Sequence, residues 1–269
     1  MRKPPTQVEI DAYQQNGFVV VEDFLSPEEL ETWRQVTDEA VHQRLHAAKS
    51  DRWDLTNRSD DPNNYYAQVF IQCVKLADTH DGMKALMRDT RLGEWAGMLA
   101  GVDGIRIWHD QALIKQPFGN PTAWHLDNPY WSFHSPNALS IWVALDDATL
   151  QNGCLYYLPG THINSRYDNV NIGQNMADLF RHYPEWREIA PVATPCRAGS
   201  AVFHNGLTAH GAGANMTHRP RRAMTCAYMP DGATFNGERN VLPPEYVARL
   251  QVGDVLDDPE IVPLIWKRA

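Results

Sequence analysis

Helix start signals mark the first hundred residues of the chain. A capping box formed by Thr6 and Glu9 opens a predicted helix, and Gly17 is a typical residue to end it. A second helix is predicted to begin after Ser26, because a proline in the first turn and a glutamate three residues later follow it. Apolar residues then recur at helical spacing, so this helix is predicted to bury one face. A further helical stretch is predicted over 83–99.

From about residue 104 the pattern changes to short runs in which apolar and polar residues alternate. Alternation with a period of two is typical of strands that bury one face. Many short strands with few helices between them favour an antiparallel sandwich or barrel over a Rossmann sheet. A β-branched run over 18–21 adds a strand among the N-terminal helices. The other predicted strands are 105–108, 111–115, 139–145, 155–158, 200–203 and 223–229.

These elements predict one domain with three parts. Residues 1–103 form a helical N-terminal part, 104–232 a β core and 233–269 a C-terminal cover. Two polar stretches, 49–66 and 164–183, are predicted to be loops. Long loops without secondary structure in compact domains are often active-site lids, so the second loop is a lid candidate.

The charge balance and the absence of long apolar stretches limit the kinds of partner that the chain is expected to bind. The chain has 269 residues, of which 43% are hydrophobic, and 33 acidic residues against 24 basic ones give a formal net charge of −9. This balance argues against a broad electrostatic grip on nucleic acid or on an anionic membrane. No apolar stretch approaches the ~18–20 residues of a membrane span, and no apolar signal core follows the N-terminus. The four scattered cysteines form no CxxC pair, which favours reduced cysteines in a cytoplasmic protein.

One pair of residues has the spacing of metal ligands. His125 and Asp127 are two positions apart, so on a strand they face the same side. An imidazole and a carboxylate so placed are two thirds of a 2-His-1-carboxylate facial triad, which leaves open positions on Fe(II). The third ligand must come from elsewhere, and His210 follows a β run. The chain has eleven histidines, so a chance pairing is the alternative interpretation.

A predicted strand that opens with Arg221 suggests a carboxylate site. Arg221 shares one face of that strand with Ala223, Thr225 and Ala227, which are all small. A guanidinium beside small residues in a barrel interior would bind a dicarboxylate through a fixed, bidentate pair of donors. The alternative is that Arg221 and the neighbouring arginines form a solvated basic turn.

Four motifs occur together in order along the chain: YQQNGFVVVEDFLSPEEL at 13–30, WHLD at 124–127, NGCLYYLPGTH at 152–162 and HGAGAN at 210–215, followed by Arg221. On these motifs the chain resembles the phytanoyl-CoA dioxygenase family of non-haem Fe(II)/2-oxoglutarate oxygenases, over roughly 11–230. The resemblance implies a mainly β fold, with a double-stranded β-helix (jelly-roll, cupin-like) core and flanking N-terminal α-helices. It also implies iron held by His125, Asp127 and His210, with 2-oxoglutarate anchored through its distal carboxylate by Arg221.

The resemblance also points to residues that line the cosubstrate pocket. Gln111 and Trp142 match such positions, and Gln72 is a further candidate on an earlier strand. Alternation supports Trp142, because Ser140, Trp142 and Ala144 share one face of their strand. Plain core packing is the alternative for this tryptophan.

The chemistry implied by the family is oxidation of a substrate by O2, with 2-oxoglutarate converted to succinate and CO2. Relatives that halogenate replace the carboxylate ligand with a small residue, so the presence of Asp127 favours hydroxylation. Desaturation, epoxidation and cyclisation use the same ligands and remain alternatives. Two other classes are a jelly-roll binding protein without metal and a zinc- or manganese-dependent cupin-like hydrolase or isomerase. The four positions at 125, 127, 210 and 221 favour the oxygenase over both.

The substrate is predicted to be a small or mid-sized organic molecule, bound by a monomer or small homo-oligomer without nucleic acid or membrane. An aromatic cluster next to the predicted metal ligands is the candidate wall of the substrate pocket. Its members are Trp124, Tyr130, Trp131 and Phe133.

Overall fold

A computed structural model describes residues 1–47, 56–57 and 64–268. The predicted loop 49–66 lies mostly outside these residues, and its described part includes a two-residue strand, Thr56–Asn57. None of the described helices is both long enough and apolar enough to cross a bilayer. The four cysteines are buried and form no disulfide.

The first two helices begin where their capping residues predict. Helix α1 is Gln7–Asn16, and helix α2 is Pro27–His46. The side chains of Thr6 and Ser26 each accept a hydrogen bond from the backbone N–H three residues later, which completes both capping boxes. Gly17 ends α1 with a φ of 81°, a left-handed conformation that glycine adopts without a steric penalty.

The helical stretch predicted over 83–99 is confirmed and consists of two helices, α3 (Asp81–Met87) and α4 (Thr90–Ala100). The two are separate because Asp89 has an extended conformation and caps a new helix. Its side chain accepts a hydrogen bond from the backbone N–H of Arg91 at 2.9 Å. A fifth helix, α5, is the short segment Pro244–Val247.

The strands form two antiparallel sheets that face each other, as in a jelly roll. In the larger sheet the order is β1-β9-β6-β11-β4-β3-β2, and β12 pairs with β4 beside this path. Its strands are β1 Phe18–Val21, β2 Thr56–Asn57, β3 Ile71–Val74, β4 Gly104–Lys115, β6 Leu139–Ala144, β9 Ala201–Asn205, β11 Arg221–Pro230 and β12 Leu264–Lys267. The smaller sheet has the order β5-β10-β7-β8, with β5 Thr122–His125, β7 Leu155–Tyr157, β8 Val192–Thr194 and β10 His210–Ala212. The mainly β jelly-roll fold with N-terminal helices is therefore confirmed.

Two of the predicted strands, 105–108 and 111–115, are a single long strand, β4. It pairs with β11 from Ile105 to Lys115, and the register shifts between Ala227 and Tyr228. Tertiary pairing keeps the strand continuous through the polar residues between the two predicted runs.

The larger sheet lies between two apolar clusters, and alternate residues of its strands face one cluster or the other. On β6, Leu139, Ile141 and Val143 pack beneath the N-terminal helices. Trp142 and Ala144 on the opposite face belong to the inner cluster between the sheets. The predicted alternation of β6 is confirmed, and it turns Trp142 toward the interior of the jelly roll.

The C-terminal segment closes one end of the β core. Phe235, Val241 and Leu242 pack with Trp131 and Phe133 in a third apolar cluster. Residues near the C-terminus thereby contribute to the wall of the interior cavity.

Candidate metal and cosubstrate site

The smaller sheet brings the two predicted histidine ligands together, and Asp127 lies two residues beyond the first of them. Strand β5 ends at His125, and strand β10 begins at His210. The two strands are antiparallel neighbours in a register that places His210 directly opposite His125. Their ring centroids lie 4.2 Å apart, so two histidines separated by 85 positions in the chain share one face.

Asp127 completes a cluster with metal-binding chemistry. Its Oδ1 lies 3.6 Å from the Nε2 atoms of both His125 and His210. One ligand atom from each of the three residues lies within 4.8 Å of the others, and no other such trio is found among the described residues. Two imidazoles and one carboxylate on one face fit the facial set of an Fe(II) site.

The outer nitrogens of both histidines orient their rings. Nδ1 of His125 donates to the carbonyl of Ala123, and Nδ1 of His210 donates to the carbonyl of Thr208, both at 2.9 Å. Because Nδ1 carries the proton, the lone pair of each Nε2 faces Asp127 and is free for a metal. Burial, together with the neighbouring His125, lowers the pKa of His210 to about 3, so the ligand is neutral at physiological pH.

The second oxygen of Asp127 is held by residues that sequence reasoning missed. Oδ2 accepts hydrogen bonds from Ser140 Oγ at 3.2 Å and from His204 Nε2 at 3.1 Å. With Nε2 as donor, Nδ1 of His204 accepts from the Tyr157 hydroxyl at 3.1 Å. Burial opposes ionisation of Asp127, but its interaction with His210 and the hydrogen bond from His204 outweigh burial, so the pKa of Asp127 lies well below its usual value.

Arg221 is a buried cation with unused donors. Only 3% of its surface is exposed, so the alternative of a solvated basic turn is wrong for this residue. Nη2 donates to the carbonyl of Gly153 at 3.1 Å, and the guanidinium lies 5.0 Å from the ring centroid of Trp142. Nε and Nη1 are buried and have no hydrogen-bond partner among the described residues. Burial lowers the pKa of Arg221 to about 10, so it remains charged at neutral pH.

This arrangement fits a bound carboxylate. A buried charged group without partners is costly, and a carboxylate that accepts from both free donors removes that cost. Lys115 lies opposite Arg221 in the register of β4 and β11, and its Nζ donates to the carbonyl of Asn120 at 2.7 Å. Burial and the charge of Arg221 lower the pKa of Lys115 to about 7, which adds partial positive charge to this end of the interior.

A cavity of about 470 Å³ contains the metal cluster and Arg221 in its wall. This volume is in the usual range for a small-molecule site. Most of the residues predicted for the cosubstrate and substrate pockets also line it. They are Gln72, Gln111, Trp142, Tyr130 and Trp131.

Two residues predicted to line the substrate pocket lie elsewhere. Trp124 precedes His125 on a strand, so it faces the opposite side and packs near Phe180, with ring centroids 6.3 Å apart. Phe133 is fully buried between Trp108 and Trp131 in the apolar cluster beside the cavity. Closeness in sequence to the metal ligands does not by itself place a side chain in the cavity, because strand alternation and core packing decide which aromatic groups reach it.

Two glutamines and a tyrosine form a connected row in the cavity wall. The hydroxyl of Tyr66 donates to Oε1 of Gln72 at 3.1 Å, and Nε2 of Gln72 donates to Oε1 of Gln111. This row fixes the orientation of the Gln111 amide. Tyr66 and His109 were missed in the sequence, although alternation along β4 could have found His109, which is two positions from Gln111.

The predicted loop 164–183 is packed against the metal site. The Asn169 side chain donates to the carbonyl of Leu126 at 2.8 Å and accepts from its backbone N–H at 3.2 Å. The hydroxyl of Tyr130 donates to the carbonyl of Val170. The loop also contains a short 3₁₀ helix, Asp178–Arg181, so it is more ordered than the sequence suggested.

Comparisons with known proteins agree with this geometry. Residues 13–223 match the profile of the phytanoyl-CoA dioxygenase (PhyH) family. A methylphosphonate hydroxylase from Gimesia maris is 25% identical over 83% of this chain and 80% of its own length. The carbocyclase SnoK of nogalamycin biosynthesis, which is α-ketoglutarate dependent, superposes with a TM-score of 0.75 at 25% identity, covering 98% of this chain and 99% of SnoK. The epimerase SnoN, solved with Fe³⁺, α-ketoglutarate and nogalamycin RO, superposes with a TM-score of 0.74 at 26% identity, covering 96% and 98%. The chain therefore belongs to the phytanoyl-CoA dioxygenase family and is an oxygenase that depends on iron and 2-oxoglutarate.

Proposed function

We propose that this oxygenase hydroxylates an unactivated C–H bond of a small or mid-sized organic molecule, with release of succinate and CO2. The observation that carries the proposal is the presence of two complementary groups in one cavity. A cluster of two histidines and a carboxylate lies in its wall, and so does a buried guanidinium with two unused donors.

Each group has a separate task in this proposal. His125, Asp127 and His210 would hold iron, and Arg221 would bind the distal carboxylate of 2-oxoglutarate. When bound, iron and 2-oxoglutarate supply the oxidising chemistry by which O2 is used. The protein holds the ligands in place through the hydrogen bonds to Asp127 and positions the substrate.

The carboxylate at position 127 supports hydroxylation over halogenation. A small residue at this position would leave a ligand position free for a halide, whereas Asp127 takes that position. Cyclisation is a second candidate, supported by the similarity to the carbocyclase SnoK. The products distinguish the two reactions by mass, since hydroxylation adds one oxygen atom and oxidative ring closure removes two hydrogen atoms.

The test is an anaerobic addition of Fe(II) and then 2-oxoglutarate to the purified protein, recorded as a visible spectrum. We expect a weak charge-transfer band that shows 2-oxoglutarate chelated to iron, and its loss in H125A and in H210A. His218 is exposed, so H218A is the matched control and should keep the band. A band of equal strength in H210A, or no band in the wild type, would overturn the assignment.

A further inference from the structure

The cavity has two ends, which lie at different positions along the paired strands β4 and β11. Arg221 lies opposite Lys115 at one end of this pair, and Ala227 lies opposite His109 toward the other. Six residues along β11 correspond to about 20 Å. If Arg221 holds 2-oxoglutarate, the end near His109 is left for the substrate. We call it the far pocket, lined by Val74, His109, Tyr130, Trp131 and Val241.

The far pocket is mainly apolar and aromatic. Val74, Trp131 and Val241 belong to one buried cluster, and Tyr130 packs against it. His109 meets Trp131 edge to face, with ring centroids 6.3 Å apart. Aromatic walls of this kind contribute large contact areas and favour stacked or edge-to-face partners.

Charge at the far pocket is low. Among the described residues that line the cavity, Arg221 carries the only permanent positive charge. His109 is neutral, because burial lowers its pKa to about 4. Among the described residues, no member of the far-pocket lining offers a permanent counter-charge to an anionic substrate group, which would lose its water on entering.

His109 provides a polar contact in this apolar surrounding. It is 8% exposed, and its Nδ1 has no hydrogen-bond partner among the described residues. A neutral imidazole can donate through one nitrogen and accept through the other, so it can bind a hydroxyl or a carbonyl group.

We propose that the far pocket binds an uncharged, ring-bearing part of the substrate, packed against Trp131 and Tyr130, with a polar substituent hydrogen-bonded to His109. The inference rests on the proposed function, because it assigns the Arg221 end to 2-oxoglutarate. It sets this chain apart from relatives named for small anions, such as methylphosphonate and hypophosphite.

The test uses the anaerobic complex of the protein with Fe(II) and 2-oxoglutarate and three probes: 2-naphthol, 2-naphthoate and methylphosphonate. Binding is followed by the visible band and by tryptophan fluorescence. We expect 2-naphthol to bind at least tenfold more tightly than 2-naphthoate, which has the same rings and a negative charge, and methylphosphonate not to compete.

Two variants locate the probe. We expect W131L to weaken 2-naphthol binding about two- to tenfold, as the loss of an aromatic contact predicts, without changing the affinity for 2-oxoglutarate. V241F adds bulk to the pocket wall and should also weaken 2-naphthol, which keeps the test valid if W131L folds poorly. Phe118 is 72% exposed, so F118L is the matched control.

Several outcomes would overturn the inference: tighter binding of 2-naphthoate or methylphosphonate, no binding of 2-naphthol to a complex that shows the band, or binding that neither variant weakens. Absence of the band itself would instead overturn the proposed function, so the two failures are distinguishable.

Discussion

Replacement of Arg221 by glutamine should weaken 2-oxoglutarate binding and spare the fold. The substitution keeps a polar side chain but removes the charge and the two donors that have no partner among the described residues, Nε and Nη1. Each hydrogen bond to a charged group contributes roughly 1.5–3 kcal/mol. Two such bonds to one carboxylate give about 3 kcal/mol at the lower bound, which corresponds to an affinity loss on the order of 100-fold.

The same substitution should leave the apoprotein as stable as the wild type, or make it more stable. Arg221 is 3% exposed, and burial disfavours its charged form, which the lowered pKa of about 10 reflects. Removal of a buried charge without a full set of partners relieves this penalty. Loss of affinity and retention of stability together separate a ligand-binding role from a structural one.

The neighbouring residue offers a matched control. Arg222 lies on the opposite face of β11, where it pairs with Asp146 at 2.7 Å and with Asp38 at 2.6 Å. R222Q removes the same charge from the same strand. It should cost at most about 1 kcal/mol of stability and leave the 2-oxoglutarate affinity unchanged.

The assay is an anaerobic titration of the Fe(II)-loaded protein with 2-oxoglutarate, followed by the visible band, with thermal unfolding of the apoprotein measured in parallel. An affinity of R221Q within threefold of the wild type would refute the reasoning. An equal loss in R222Q would refute it as well, because the effect would then follow total charge and not the buried donors.

Three further predictions concern stability and the metal site. Burial raises the pKa of Asp110 to about 6, so between pH 3.8 and 6 the folded protein holds a proton on Asp110 that the unfolded chain has released. The free energy of unfolding of the wild type, measured in urea titrations relative to D110N, should therefore fall by up to about 3 kcal/mol from pH 4 to 6. N169A removes both hydrogen bonds to the backbone of Leu126, which lies between two of the proposed iron ligands, and should weaken Fe(II) binding about tenfold in anaerobic titrations. N175A, in the same loop, should leave Fe(II) binding unchanged, and equal Fe(II) affinities of the two variants would contradict the prediction. A Cβ at Gly97 would lie 2.1 Å from the Trp266 ring, so G97A should destabilise the protein by about 1–3 kcal/mol. In a W266A background the same change should be neutral or stabilising, because alanine is the better helix former. An equal loss of stability in both backgrounds would exclude the clash as the cause.

Signals that act within a few residues made much of the fold predictable. Capping residues located the starts of α1 and α2, because a side chain there bonds to the backbone three positions away. Alternation along β6 and β11 assigned their inner and outer faces correctly. The helical stretch over 83–99 was predicted without its break at Asp89, whose side chain caps α4.

The pattern of the sequence alone determined the chemical identity of the site. The spacing of two between His125 and Asp127 follows from residue types and strand periodicity, whereas His210, Arg221 and the jelly-roll class were implied by the resemblance to the family.

Only the tertiary structure decided how these groups are held and which neighbours they meet. The pairing of β5 with β10 places His210 opposite His125, and the packing of the two sheets brings Ser140 and His204 to Asp127. It also left Trp124 outside the cavity and two donors of Arg221 without partners in the part of the chain that the structure describes. Strand register and burial depend on residues far apart in the chain, so no local pattern contains them.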